Sequence, residues 1–371
     1  MSYLDKLLEG VEVEWKTLGE VTNVLRGRRL TREQLSSDKK FPVFHGGLEP
    51  LGYYEQKNRP ANSVMIINVG ASAGTVGYSD VDFWSSDGCY SIEHSEKLNN
   101  KFLYYFLIGE QHFLQSRVRK AGIPTLDAPV IEKIPIPIPC PENPKKSLEI
   151  QQKIVRILDT FSELTAELTA ELTARKKQYE YYREQLLSFE EGEVEWKTLG
   201  EVAFIGTGSH DTQDAIPDGD YIFYARGITP LRLDTYDFDE TSIITAGDGV
   251  GVGKVFHWAV GKYALHQRAY RIVPNVKEIS PRYVYHYIVA NFYSYIEKTS
   301  VSSSVTSMRK PMFLKFPIPV PLLEEQTRIV SILDKFDTLT TSISEGLPKE
   351  IALRKQQYEY YRDLLLTFPK E

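Results

Sequence analysis

Apolar residues step in alternating fours and threes along two stretches of this chain, and the two stretches match each other. In the first, Ile154, Leu158, Phe161, Leu168, Leu172, Tyr179, Tyr182 and Leu186 form one stripe, with Thr165 and Arg175 at its two remaining positions. In the second, Ile329, Leu333, Phe336, Ile343, Leu347, Ile351, Tyr358, Tyr361 and Leu365 follow the same rule, with Thr340 and Arg354 on the seam. A period of about 3.5 residues is that of a helix packed along another helix. A helix over 151–189 would be roughly 58 Å long at 1.5 Å per residue, too long for one core element of a small domain. Its seam needs a partner, and the second stretch is the predicted one.

Shorter patterns precede each helix. β-rich segments punctuated by Gly, Pro and Asn occupy 41–44, 63–69 and 88–92 in the first half, and 220–224, 242–246 and 263–273 in the second. Aromatic segments that read as helical follow at 101–107 and 282–288. Each half then enters a ladder of alternating prolines, at 134–139 and 316–321. Proline at every second position prevents a helix and cannot sit centrally in a sheet, so each ladder reads as an extended edge segment leaving its globule.

These parallels are a duplication. Gln-Tyr-Glu-Tyr-Tyr-Arg at 178–183 recurs letter for letter at 357–362, and EVEWKTLGEV stands at both 12–21 and 193–202. The spacing is far longer than a solenoid repeat, so the chain is two copies of one unit in tandem. The span from Gln151 to Arg175 is four residues shorter than that from Gln326 to Arg354. The additional four sit around Gly346-Leu347-Pro348, which is predicted to interrupt the second helix. The first helix carries Thr-Ala-Glu-Leu twice, at 165–168 and 169–172. One such unit adds about 6 Å of helix and turns it roughly 40° beyond a full turn, as a length adjuster would. Leu7-Leu8-Glu9-Gly10 precedes the first EVEWKTLGEV much as 186–192 precedes the second. The N-terminus therefore resembles the tail of a helix whose body lies at the C-terminus. The expected fold class is α+β: two globules joined by two long antiparallel, coiled-coil-like helices in a circular, pseudo-twofold tandem repeat.

Composition adds limits. The 371 residues, 42% hydrophobic and 25% charged, suit a globular protein of two or three domains. Neither a signal peptide nor an apolar run of the ~20 residues that span a bilayer is seen, so a cytoplasmic, membrane-free protein is expected. Cys89 and Cys140 stand far apart without CxxC spacing, which argues against a disulfide framework or zinc knuckle. A net charge of −6 argues mildly against a free-standing nucleic-acid binder. It leaves room for a local basic face, or for partners that supply the phosphate contacts.

The glycine-rich 248–254 resembles a phosphate loop, but the Walker spacing would need glycine at Asp248 and Ser or Thr at Val255. The dinucleotide pattern fails as well, and copy one has 70–77 in the corresponding place. A turn between strands is the plain reading; the sharper one is a small-residue surface admitting a backbone of protein or DNA. Amino-methyltransferase, nuclease, HExxH and paired CxxC motifs are missing. His45, His94, His112, His210, His257, His266 and His286 are scattered, as structural or exposed histidines are. Basic residues are better grouped. Arg26, Arg28, Arg29 and Arg32 follow the first EVEWKTLGEV, and Arg117, Arg119 and Lys120 precede 122–125. Arg226, Lys254, Arg268, Arg309 and Lys310 are spread through the second copy. Arginine can donate bidentately to guanine, while Lys or Arg on phosphates gives register only; the competing reading is a solvated face.

Two non-identical globules that open on EVEWKTLGEV, end in a proline ladder and continue into EQxxIVxILD-type and RKxQYEYYRxxLL-type helices resemble the specificity subunit of a type I restriction–modification system. Copy two gives Glu325-Gln326-Thr327-Arg328-Ile329-Val330; copy one has Ile150 where the family usually has Glu. The resemblance covers essentially the whole chain. It implies a non-catalytic subunit for defence against foreign DNA, with target-recognition domains at 11–147 and 192–323. Helical regions at 148–191 and 324–371, the latter completed by 1–10, would set their separation. Each recognition domain would read half of a bipartite, asymmetric site in double-stranded DNA.

The resemblance further implies two methyltransferase subunits, which bind S-adenosylmethionine, and two restriction/translocase subunits, which use ATP and Mg. No cofactor is expected in this chain. DNA-contact candidates are Arg26, Arg28, Arg29, Ser72, Thr75, Arg117, Arg119, Lys120, His210, Arg226, Lys254, Arg309 and Lys310. Tyr181, Arg183, Tyr360 and Arg362 are expected to face away from the seam, toward the methyltransferase. Tyr179, Tyr182, Tyr358 and Tyr361 would line the seam with Leu158, Phe161, Leu168, Leu172, Leu333 and Phe336. The competing hypothesis is a two-headed protein–protein scaffold that does not bind DNA; a self-sufficient enzyme with an unfamiliar site is a third.

Overall fold

The computed structural model describes residues 3–190, 192–249, 251–299 and 307–369. Met1, Ser2, Glu191, Val250 and residues 370–371, which fall inside segments read above, lie outside the described residues. The first copy runs α1 (Tyr3–Leu7), β1 (Val13–Thr17), α2 (Leu18–Val21), β2 (Val24–Arg26), β3 (Phe41–Phe44), β4 (Gly52–Tyr54), β5 (Ser63–Ile67), β6 (Val76–Ser79), β7 (Trp84–Ser85), β8 (Cys89–Ile92), α3 (Asn100–Gly109), α4 (Gln111–Ser116), α5 (Ala128–Glu132), β9 (Pro135–Pro139) and α6 (Pro144–Leu186). The second runs β10 (Glu195–Thr198), α7 (Leu199–Val202), β11 (Ala203–Thr207), β12 (Tyr221–Tyr224), β13 (Leu231–Leu233), β14 (Phe238–Ala246), β15 (Phe256–Leu265), β16 (Ala269–Pro274), α8 (Pro281–Thr299), α9 (Lys310–Leu314), β17 (Pro317–Val320), α10 (Leu323–Thr341) and α11 (Gly346–Leu366). The chain divides into two compact units, Met1–Leu168 with Glu350–Glu371, and Thr169–Lys349. The division falls inside α6, between its two Thr-Ala-Glu-Leu units.

Each unit is built on the same four-stranded frame, antiparallel at every step: β2-β8-β5-β6 in the first and β11-β16-β14-β15 in the second. The central strand explains the apolar runs. In β5 every residue is buried, because side chains alternate faces and both faces are covered. Val64 and Ile66 join the core beneath α3, whereas Met65 and Ile67 pack with Phe44, Phe83 and Cys89. Ile243 and Ile244 divide in the same way in β14. Beyond the frame the copies diverge. The first carries a separate sheet β4-β3-β7, while in the second the β12–β13 hairpin extends the frame itself through a parallel β12–β15 pair. The segment 263–273, read above as one β run, is two strands with a turn at 266–268.

The repeated EVEWKTLGEV is an edge strand followed by a single turn of helix. β1 pairs antiparallel with the ladder strand β9, and β10 pairs with β17. In an antiparallel pair only alternate residues donate across the ladder, so the isoleucines can bond while the proline nitrogens face outward. The ladders are edges, as expected, but they do not leave the globule. Ile136, Ile138 and Ile318 lie in the main cores, because the apolar side chains between the prolines all fall on one face. The turn is closed by Glu20, whose carboxylate accepts from the backbone N–H of Thr17 at 2.7 Å and from its hydroxyl at 2.6 Å. Glu201 does the same for Thr198.

Within the first unit, Ile150, Ile154, Val155 and Leu158 of α6 enter the core, and Phe161 stacks on Tyr361 of α11 at 5.1 Å. Within the second, Tyr179 and Tyr182 of α6 stack on Phe336 of α10 at 5.8 and 5.6 Å. The seam tyrosines thus meet phenylalanines rather than one another, and Tyr358 instead approaches Tyr105. Leu168 and Leu172 are on the stripe but only half-buried. Two expectations are corrected. Ile343 is 87% exposed, because the helix stops at Thr341 and resumes at Gly346. The break is therefore 342–345, and Gly346-Leu347-Pro348 opens α11, where a first-turn proline is tolerated. Gly346 has φ +76°, and a Cβ there would stand 2.4 Å from the Thr338 carbonyl oxygen.

One side chain per copy fastens helix to globule. Gln151, fully buried, accepts from the Asn99 N–H at 2.7 Å and donates to the carbonyl of Lys97 at 3.0 Å. Gln326 accepts from the Ser280 N–H at 2.7 Å and donates to the carbonyls of Glu278 and Pro321. A second tie joins the aromatic helix to the acid of the Ile-Leu-Asp triplet. Lys101 and Tyr105 reach Asp159 in the first unit; Arg282 and His286 reach Asp334 in the second.

Candidate nucleic-acid interface

In the first unit the arginine cluster sits where β2 leaves the frame. Gly27 is required there: a Cβ would lie 1.9 Å from the Ser86 carbonyl oxygen. The segment is pinned flush against β7 by Arg28 N–H donating to Ser85 at 2.9 Å and by the Trp84 indole donating to the Arg28 carbonyl at 2.7 Å. The Arg59 guanidinium holds the Arg26 carbonyl at 2.9 Å. A fixed backbone therefore carries four exposed guanidinium groups, Arg26, Arg28, Arg29 and Arg32, none of which forms an ion pair or side-chain hydrogen bond among the described residues. Arg26, Arg29 and Arg32 line a concavity of about 800 Å³ together with His45, Asn68 and Asp87. His45 accepts from the Gly88 N–H at 3.1 Å and lies 3.3 Å from Asp87.

Residues 70–75, holding Ser72 and Thr75, form the turn from β5 to β6, which is the plain reading made from sequence. The turn lies beside 124–125: Gly70 N–H donates to the Pro124 carbonyl at 2.9 Å, and Thr125 pairs with both Val69 and Arg119. Arg119 is held by Asp127 at 2.9 Å, Arg117 lies over the Phe113 ring, and Lys120 is exposed. The structure thus brings Arg26, Arg29 and Arg32 together around one hollow and leaves Arg119 internally paired.

The second unit treats its cations differently. Its glycine-rich turn joins β14 to β15, and Asp248 on that turn receives Arg226 at 3.0 Å and Arg268 at 2.9 Å. Burial pushes the Asp248 carboxyl up, but bonds and charge from the two arginines outweigh it and hold it below the ordinary range. The sharper reading of the glycines is met by the protein's own backbone. A Cβ on Gly247 would stand 2.6 Å from the Arg268 carbonyl oxygen, and one on Gly251 2.7 Å from that of Arg226. His266, buried in the β15–β16 turn, accepts from the Arg268 N–H; burial, then the charge of Arg226, keeps its imidazole below the ordinary range. His210 bonds Asp237 at 3.1 Å, and Lys254 and Lys310 lie over the rings of Tyr293 and Phe204. Arg309 is exposed at the start of α9. Among the described residues no group of three or more His, Cys, Asp or Glu could hold a metal ion, and no helix is long and apolar enough to cross a membrane.

On the helices, Tyr181 and Tyr360 are 59% and 65% exposed, facing away from the stripe. Their neighbours differ from expectation. The Arg362 side chain is only 17% exposed, turned back over Tyr358 and bonded to Asp363, and Arg183 lies over Tyr179. Arginine stems fold onto an adjacent ring when one is available, which withdraws the charge from the outer face. Tyr182 is 39% exposed despite its stacking on Phe336.

The family described as "Type I restriction modification DNA specificity domain" matches residues 10–175 and, again, 191–353. The chain is 37% identical over its whole length to the EcoR124I/EcoR124II type I restriction enzyme specificity subunit of Escherichia coli, covering 98% of that protein. It is 34% identical to the EcoprrI specificity subunit of the same species, with 93% of this chain and 92% of that one covered. In fold it is similar to the type I restriction–modification S subunit from M. genitalium, with a TM-score of 0.67 at 18% identity over all of both chains. It is also similar in fold to a chain from work on complex assembly and conformational transition of the type I R-M system, with a TM-score of 0.53 at 16% identity, covering 95% of this chain and 97% of that one.

Proposed function

The chain belongs to the type I restriction–modification specificity subunit family, and from that premise we propose that each unit reads one half of a bipartite, asymmetric duplex site. The observation that carries this reading is the contrast between copies. The frame, the edge strand and the glutamine fastening are shared, whereas the loops that present arginine are built differently. Two unlike readers on one frame call for two unlike half-sites. The unpaired guanidinium groups of the first unit suit phosphate and base contacts, and supply locally the positive charge that the chain lacks as a whole.

Partner subunits do the chemistry. Two methyltransferase subunits, carrying S-adenosylmethionine, dock on the helical regions, with the exposed rings of Tyr181 and Tyr360 as contacts. Two restriction/translocase subunits add ATP- and Mg-dependent translocation and cleavage. This chain contributes recognition and geometry.

The test is to map methylated adenines across a genome in cells that contain this chain and its methyltransferase. A single motif with two defined halves and a fixed gap is expected. Methylation without a motif, or assembly on protein partners with no duplex binding, would favour the two-headed protein scaffold instead.

A further inference from the structure

The Asp248 arrangement is costly in a surface meant to attract phosphate. A carboxylate between two guanidinium groups cancels part of their charge and repels the backbone of a nucleic acid. It makes sense for a different target. A base edge is neutral, and what it asks of a donor is a fixed direction. Each guanidinium spends one nitrogen, Nη1, on Asp248, and neither makes another side-chain hydrogen bond among the described residues. The remaining N–H groups of each planar fork stay free, and the side chains are 43% and 62% exposed. Four segments are locked to hold this arrangement. Gly247 N–H donates to the Arg268 carbonyl at 2.8 Å, and the Met308 N–H donates to the Gly247 carbonyl at 2.7 Å. The close glycine approaches then fix the Arg226 loop against the same turn. The corresponding turn of the first unit has Ser72 and Thr75 and no acid of its own; Arg119 beside it is held by Asp127 of a different segment.

We propose that Asp248 is a positioning residue, which holds Arg226 and Arg268 aimed to donate to the N7 and O6 of a guanine in the half-site of the second unit. This rests on the reading that the subunit recognises duplex DNA. Bidentate donation from arginine is the geometry that singles out guanine in the major groove.

The subunit is assembled with its methyltransferase and tested on duplexes randomised in both halves. With D248A, guanine selection falls about tenfold or more at one or two positions of one half, while the other half is read as before. Binding to unrelated duplex at low salt does not fall, and D248E restores part of the selection. Replacing the selected guanine by 7-deazaguanine, which lacks only the N7 acceptor, weakens the unaltered complex but costs nothing further in the R226A/R268A double variant. Full guanine selection by D248A overturns the proposal. So does an unaltered complex indifferent to 7-deazaguanine at every guanine of its site, a result that stands even where D248A fails to assemble. An unaltered complex that selects no sequence would instead overturn the DNA-reading function itself.

Discussion

Arg282 and His286 in the second unit stand where Lys101 and Tyr105 stand in the first, and both pairs grip the aspartate of an Ile-Leu-Asp triplet. Only one of the four is an imidazole. Burial holds His286 below its ordinary range, although its bond to Asp334 opposes the shift. The folded unit therefore binds this proton at lower pH than the unfolded chain does. Its contribution is complete above the unfolded value of about 6.5 and is lost as pH falls through that value toward the folded one. H286Y, which copies the first unit, should flatten the stability of the second unit between about pH 7 and pH 5, measured by denaturant titration at each pH. An unchanged slope would place the acid sensitivity elsewhere. The buried glutamine makes a larger demand. Gln326→Leu strands three backbone groups and should cost the second unit about 2–4 kcal/mol. A loss below about 0.5 kcal/mol would show that the fastening is dispensable. Neither role was legible in the sequence. Gln326 belongs to a recognisable motif, but nothing in the motif says which backbone groups its amide will satisfy.

At the scale of elements, the helical period carried both long stripes, which are helical. β3 and the central strands of both frames fall in the segments read as β-rich between Gly, Pro and Asn. What the pattern missed was decided by geometry it does not encode. The β15–β16 turn is hidden because His266-Gln267-Arg268 contains none of the Gly, Pro, Asn or Asp that mark a turn. The break in the second helix was assigned to Gly346-Leu347-Pro348, yet proline in a first turn starts a helix as readily as it ends one. The continuous α6 offers a cleaner experiment, since the two units divide between its duplicated segments. Deleting 169–172 removes about 6 Å of helix, and methylation mapping should show a changed gap between half-sites with both halves unaltered. Altered bases at a constant gap would show that α6 is no ruler.

For the molecule as a whole, the candidate interface was legible in kind but not in arrangement. Sequence placed basic clusters in the divergent loops. It did not show that Arg26, Arg29 and Arg32 of the first unit lie open around a hollow while Arg226 and Arg268 of the second are clamped by a carboxylate. Side-chain pairing across loops depends on a sheet that only the folded chain creates. The first unit holds one more such dependence. Leu4 and Trp15 belong with Leu365, Leu366 and Phe368 to one core, and the Trp15 indole donates to the Pro369 carbonyl at 2.9 Å. A ribosome makes those two ends last to meet. The second unit, 169–349, is complete once its last residue clears the exit tunnel, while the first must wait for the segment from Glu350 onward. On stalled nascent chains that expose residues up to 349, protease should spare the second unit and cut the first. The order of folding would then invert the order of synthesis, and the subunit gains its first reader only once the segment from Glu350 onward has been made.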